Sequence, residues 1–335
     1  MPRAEAMAML FLLELLFPDQ PSSFFLHMHS RSRRRLVLGT LLAGGLAGPA
    51  AAADGAPLRV VYPRLLERPE HAFGYQVLGL ALQRSGRPYE LQLGDALVSS
   101  RAALRMLESG QVSVFDNGGS PRLQEVADMV PIPIDFGLGG CRMLLGRPEV
   151  LKRLRGAHRI EDLQAFIFGQ GIDWTDSRIL RKAGLRVEEG EFDKLLRMLQ
   201  GGRFELLPLG SDEAQGILER QREASPDIAV DVAIDAGVGL LYAYPRVFYV
   251  ARGNTELFAA LTRGLKAAHA DGSLLALLKR TPGIGPVLTG ERALPATLIG
   301  LPNPWMPAAL RSLQLAHFHP ALRATLRPLL ADAQG

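Results

Sequence analysis

Three short stretches hold the side chains best suited to gripping a small molecule. The first, Asn117-Gly118-Gly119-Ser120, follows the apolar run Val112–Phe115. Glycines there let a ligand approach main-chain N–H groups. A helix beginning next would add the positive end of its dipole, a setting that suits an anion. The same residues also make an ordinary turn. The second stretch is Gly169-Gln170-Gly171-Ile172-Asp173-Trp174, read as a glycine turn entering a helix. Gln170 can hydrogen-bond a ligand, Asp173 can accept from a cationic group, and Trp174 can stack on a flat one. Equally, Asp173 or Thr175 can cap the helix while Trp174 packs in the core. The third, Gly210-Ser211, is a turn of the first kind. Arg142 stands in the apolar passage Leu138–Leu145 and needs a partner or water. A ligand carboxylate or phosphate would suit its forked guanidinium, and so would an internal acid. Tyr62, at the end of Leu58–Tyr62, is either a cleft wall or core. The candidate ligand-binding residues are Tyr62, Asn117, Gly118, Ser120, Arg142, Gln170, Gly171, Asp173, Trp174 and Ser211.

Catalytic and cofactor chemistry finds little support. The seven histidines form no His-x-x-x-His or His-Glu-x-x-His spacing, and no Gly-x-Ser-x-Gly occurs. His317-Phe318-His319 supplies two imidazoles, short of a metal site. Asp173 with Glu161, or Asp212 with Glu213, could act as acid–base pairs, but nothing places either on a substrate. No catalytic residue, metal or cofactor is therefore assigned. The lone cysteine, Cys141, cannot form an internal disulfide and reads as a small core residue. Formal net charge is +4, with five Arg and three acids in residues 1–53, which leaves 33 basic and 31 acidic side chains beyond. Without a basic run interleaved with aromatics after residue 54, nucleic acid is not an expected partner.

The N-terminal segment reads as an address. Arg31–Arg35 is a charged run, Leu36–Ala47 is apolar, and Ala51-Ala52-Ala53 offers small residues for cleavage. Ser32-Arg33-Arg34-Arg35-Leu36-Val37-Leu38 resembles a twin-arginine signal, although a general secretory route fits as well. The apolar run is shorter than the ~20 residues a bilayer requires, so cleavage near Ala53 and a periplasmic location are expected. Met28 would open a conventional signal by itself, and residues 1–27 read as a mis-called start.

The elements that must position the candidates follow in order. Leu58–Pro63 reads as a strand, Phe73–Ala81 as a helix and Tyr89–Leu93 as a strand. Residues 99–120 then give helix, stop, strand and glycine turn. A shorter echo returns at 192–212. Arg105-Met106-Leu107 matches Arg197-Met198-Leu199, Gly110 matches Gly202, and Gly118 matches Gly210. One unit used twice predicts two similar α/β lobes, each a mainly parallel sheet flanked by helices. Turns at strand ends then face each other across a cleft, with hinges near 134–141 and 239–247.

From Val247, the segment VFYVARGNTELFAALTRGLKAAHADGSLLALLKR resembles the return segment of bacterial extracellular solute-binding proteins of the amino-acid type. Leu58–Tyr62 is similar to that family's first strand, Ala103–Ser120 to its helix–strand unit, and Ile160–Gly171 to the opening of its second lobe. The resemblance implies a two-lobed type II periplasmic-binding fold, with residues 58–140 and 246–330 in lobe one and 141–245 in lobe two. It implies a monomer that traps a small polar or anionic solute for a membrane permease of the ABC type, or presents it to a membrane sensor. A dehydratase-like periplasmic enzyme is the alternative. The chain also departs from the family. Arg122 and Arg142 compete for the place of the arginine that holds a ligand carboxylate. Gly169-Gln170-Gly171 replaces a Gly-Thr-Thr turn, and Pro208–Ser211 lacks the acid that holds an α-ammonium.

Overall fold

The computed structural model carries in each of two sheets the helix–strand unit that the sequence uses twice. The structure describes residues 56–65, 72–119, 121–224, 231–311 and 315–331. The expected export signal, its expected cleavage point and Ser120 lie outside them. In chain order come β1 (Leu58–Arg64), α1 (Phe73–Arg84), β2 (Tyr89–Leu97), α2 (Ser100–Glu108), β3 (Val114–Asn117), α3 (Pro121–Val126) and β4 (Ala127–Met129). There follow β5 (Cys141–Gly146), α4 (Pro148–Arg153), β6 (Ile167–Gly171), α5 (Thr175–Lys182), β7 (Arg186–Gly190), α6 (Leu195–Gln200), β8 (Leu206–Gly210), α7 (Ala214–Ala224) and β9 (Ala233–Leu241). The chain closes with β10 (Val247–Ala251), α8 (Thr255–Ala270), α9 (Ser273–Leu278), α10 (Gly285–Thr289), β11 (Thr297–Gly300), α11 (Ala308–Arg311) and α12 (Arg323–Ala331).

The echo is a structural repeat down to its hydrogen bonds. Ser99 Oγ caps α2 by accepting from Ala102 N, and Ala103 and Leu107 face the core. The helix stops where Ser109 N donates to Arg105 O and Gly110 N to Leu107 O. At α6 the same two bonds run from Gly201 N to Arg197 O and from Gly202 N to Leu199 O. Gly110 and Gly202 both sit at φ near +70° (73° and 71°), a conformation glycine adopts without steric cost.

The sheets repeat as well. In the first, β1 pairs in parallel with β2, and β10 lies antiparallel between β3 and β4. Ser113 N donates to Val61 O at 2.8 Å, placing β3 beside β1. The order is β2-β1-β3-β10-β4. The second sheet runs β7-β6-β8-β5-β9-β11. There β6 and β7 are parallel, while β5 is antiparallel to both β8 and β9. Set β11 aside and the two orders coincide strand for strand: second, first, third, the strand arriving from the other lobe, fourth. This is a two-lobed α/β fold. Each sheet is mixed rather than wholly parallel, because the arriving strand enters backwards. One core lies on the first sheet, and two lie on the opposite faces of the second.

Two expectations change. The tail 246–330 was expected in lobe one, but β11 pairs in parallel with β9 of the second sheet, while Phe318, Leu322, Leu326 and Leu330 pack on the first core. Gly169-Gln170-Gly171 is not a turn but the end of β6. Its glycines are there for packing: a Cβ at Gly169 would come within 2.2 Å of the Phe204 ring, and one at Gly171 within 2.2 Å of Trp174. Among the described residues, no helix is long and apolar enough to cross a membrane.

The lobes are joined by residues 130–140 and 242–246, which run side by side. Ile134 N donates to Arg246 O and Tyr242 N to Gly140 O. Asp135 fixes the first crossing: its two carboxylate oxygens accept from Gly137 N at 2.8 Å and Gly139 N at 2.9 Å. Burial pushes its carboxyl up to about 6. Asp135→Ala should cost about 1–3 kcal/mol for each N–H left without an acceptor. Between pH 4 and 6 the unfolded chain has lost the Asp135 proton while the folded chain keeps it, so wild-type stability falls as pH rises. The gap between wild type and Asp135→Ala, measured by urea unfolding, should therefore narrow from pH 4 to pH 7. A widening gap contradicts this account.

Candidate functional site between the lobes

The third strands of the two sheets, β3 and β8, end at a cleft of about 650 Å³ that opens between the lobes. Strand ends of an open α/β sheet are where ligands gather. Lobe one contributes Arg101 and Leu104 from α2, and Phe115, Asn117 and Gly118 from the end of β3. Lobe two contributes residues 172–176 after β6, Phe192, and Asp212 and Glu213 after β8. Arg142, Tyr244 and Arg246 come from the crossings and the strands they feed.

Two guanidinium groups organise the floor, one for each lobe: the buried Arg142 and the half-buried Arg246. Arg142, the second residue of β5, is 8% exposed. Its Nη2 lies 2.7 Å from Asp176 Oδ1, and its Nε donates to Tyr242 Oη at 2.8 Å. Tyr242 Oη donates in turn to Asp176 Oδ1. Burial pushes the Tyr242 phenol well up, which keeps it a donor. Asp176 reaches this place because it opens α5, where a carboxylate is favoured by the helix dipole. Arg246, just before β10, repeats the arrangement in lobe one. Its Nε donates to Asp116 Oδ2, and Tyr62 Oη donates to Asp116 Oδ1. Burial, and after it the Asp116 carboxylate, raises the Tyr62 phenol well above its ordinary value.

The lips are different in kind. Arg101 Nη2 of α2 meets Asp173 Oδ2 at 2.5 Å across the mouth, with both side chains about 70% exposed (72% and 70%). Asp173 holds φ +65°, a left-handed conformation that Asp tolerates better than most residues. Trp174 and Phe192 form an apolar wall with ring centroids 6.0 Å apart. Tyr244 lies flat on the end of β3, where a Cβ at Gly118 would fall 2.2 Å from its ring.

The structure sorts the sequence candidates. Asn117, Gly118, Arg142, Asp173 and Trp174 line the cleft. Asn117 Oδ1 accepts from Gly118 N, so part of the expected anion nest is filled internally. Tyr62 does not reach the cleft; it is 1% exposed and holds Asp116 from behind. Gln170 is fully buried in β6, and its Nε2 donates to Pro208 O at 3.3 Å. That bond bridges β6 and β8 at a residue that has no N–H of its own to pair. Gly171 serves as the bed for Trp174. Ser211 Oγ donates to Leu138 O, tying β8 to the first crossing instead of a ligand. Ser120 lies outside the described residues. Arg122, weighed for a ligand carboxylate, has Nη2 on Glu108 and Nη1 on Glu125. Sequence reasoning missed Arg246, Asp116, Asp176, Phe192 and the cleft position of Asp212 and Glu213. The run Tyr242-Ala243-Tyr244-Pro245-Arg246 carried a signal: polar tips at every second residue in an apolar passage.

No protein-family profile matches the chain, and no curated protein matches it. Solved structures do. The chain is similar to the substrate-binding protein of an amino-acid ABC transporter, at 13% identity over 67% of this chain and 98% of that one, TM-score 0.45. It is similar to a histidine-kinase sensor domain resembling periplasmic binding proteins, at 17% identity over 68% and 96%, TM-score 0.48. It is also similar to AncCDT-1, an ancestral amino-acid-binding protein and precursor of cyclohexadienyl dehydratase, at 14% identity over 68% and 95%, TM-score 0.46.

Asp176→Ala would leave Arg142 charged and buried without its acid. A loss of about 3–5 kcal/mol is expected, read by urea unfolding. A loss under about 1 kcal/mol, the range of an exposed pair, would contradict the assigned pairing.

Proposed function

We propose that this chain is an exported solute-binding protein whose lobes close over a small ligand. One observation carries the reading: two sheets of the same strand order present the ends of their third strands to a shared cleft, and the lips meet through an exposed ion pair. Such a pair contributes about 0–1 kcal/mol, so opening costs little, and a ligand that touches both lobes tips the balance toward closure. The two crossings, which run antiparallel side by side, are the hinge. The closed form is then read by a membrane permease for uptake, or by a membrane sensor. Export follows the signal of residues 31–53, with cleavage near Ala53 and a monomer in the periplasm.

Two outcomes test this. In a thermal-shift screen of the mature chain against amino acids, amines and organic acids, a stabilising compound should lose its effect in Leu104→Trp, which fills the lobe-one wall. A hit that keeps its full effect in that variant binds elsewhere and rejects the cleft. Separately, changing Arg33 and Arg34 to Lys should stop export of a folded reporter fused after Ala53. Undiminished export would reject the twin-arginine route.

A further inference from the structure

We infer that the ligand of the cleft is an organic cation, an amine with an apolar or aromatic body and no carboxylate to be clamped. The inference rests on the cleft being the ligand site and names the class of ligand it takes. The first argument is that the cations of the cleft are already engaged. Arg142 is held by Asp176 and Tyr242, Arg246 by Asp116, Arg122 by Glu108 and Glu125, and Arg101 by Asp173. At buried Arg142 a ligand carboxylate would have to displace Asp176, which leaves that acid unpaired in an enclosed space. The commitment of Arg142 to Asp176 weighs against an anionic solute.

The second argument is the surplus of acid. Asp176 neutralises the buried Arg142 and Asp116 the half-buried Arg246, and Asp212 and Glu213 add two further acids, of which Asp212 also favours the charged form of Arg246 from beyond ion-pair distance. Asp212 makes no ion pair among the described residues. Glu213 Oε1 accepts from Gly210 N at 3.1 Å, and it approaches Arg142 Nη1 only to 3.8 Å, on a guanidinium already bound to Asp176. After burial, the Asp212 charge is the next cause that pushes the Glu213 carboxyl up, and it also raises Asp135. An ammonium placed between Asp212 and Glu213 would relieve this repulsion.

The third argument is the wall facing these acids. Ile172, Trp174, Phe192, Leu104 and Phe115 line the same cleft. Ile172 and Phe192 are 52% and 55% exposed, unusual for large apolar side chains unless something covers them. Aromatic faces also attract cations. An acid pair at the floor and an apolar wall at the lip together fit a positively charged head on an apolar body.

The test uses the mature chain carrying Trp305→Phe, so that Trp174 is the sole tryptophan. Phenethylamine, phenylacetate and phenylalanine share one body and differ in charge. Phenethylamine should change Trp174 fluorescence saturably near pH 7, and phenylacetate should not. Asp212→Asn and Glu213→Gln should each weaken phenethylamine binding about tenfold, with further weakening at high salt. Binding by phenylacetate as tight as by phenethylamine overturns the inference, as does unchanged amine binding in the Asp212→Asn/Glu213→Gln variant, or no amine response at all. If phenylacetate or phenylalanine binds best and Leu104→Trp abolishes that response, the cleft stands and only the cationic class falls. A response untouched by Leu104→Trp removes both.

Discussion

Two guanidinium groups carried into the gap between the lobes set the terms for this molecule. Each rides on or just before the strand that arrives from the opposite lobe: Arg142 in β5 and Arg246 before β10. Arg142 is enclosed there and is tolerated only with an opposite charge and further hydrogen bonds, and the half-buried Arg246 takes the same kind of partner. Each lobe supplies its own solution, an aspartate backed by a buried tyrosine: Asp176 with Tyr242, and Asp116 with Tyr62. The magnitudes separate two kinds of contact. Removing one partner of a buried pair costs about 3–5 kcal/mol, whereas the exposed Arg101–Asp173 pair contributes about 0–1 kcal/mol. The arrangement within each lobe is therefore held firmly, and the contact across the mouth is held weakly, which is the balance a closing trap requires.

Much of the architecture was legible because it rests on short-range rules. The helix, glycine stop and strand at 99–120 and 192–212 announced a repeat, and the structure repeats even the hydrogen bonds that end α2 and α6. Hydrophobic spacing located most elements. The site was less legible, for a physical reason in each case. Gly169 and Gly171 look like turn residues, but aromatic rings from distant positions occupy the space where their side chains would be. Gln170 and Ser211 look like ligand donors, yet each fills a local main-chain need, at Pro208 O and Leu138 O. Tyr62 looks like the end of its strand, but β1 runs on to Arg64, and the Tyr62 hydroxyl is claimed by an aspartate 54 positions later. Such pairings depend on sheet order, which no local pattern encodes. The same holds for β11, whose place in the second sheet follows from where the tail crosses back.

The departures from amino-acid receptors take on a different meaning in three dimensions. The acid missing from Pro208–Ser211 is followed at once by Asp212 and Glu213, which turn into the cleft as β8 gives way to α7. The arginine expected to hold a carboxylate is present twice over, but each copy already serves an internal acid. On the proposed reading, Arg142 is committed to structure while Asp212 and Glu213 line the cleft.

The central claim is that the lobes move together over a ligand, and a distance measured across the mouth tests it most directly. Cys141 is buried and its thiol is pushed up to about 12, so it should not react with a spin label. Labels at Arg105→Cys and Asp193→Cys, both exposed positions and one in each lobe, then report the separation by pulsed electron resonance. The account predicts a broad distribution for the free chain that narrows to its short-distance component when a stabilising ligand is added. A distribution that is the same with and without such a ligand would contradict it.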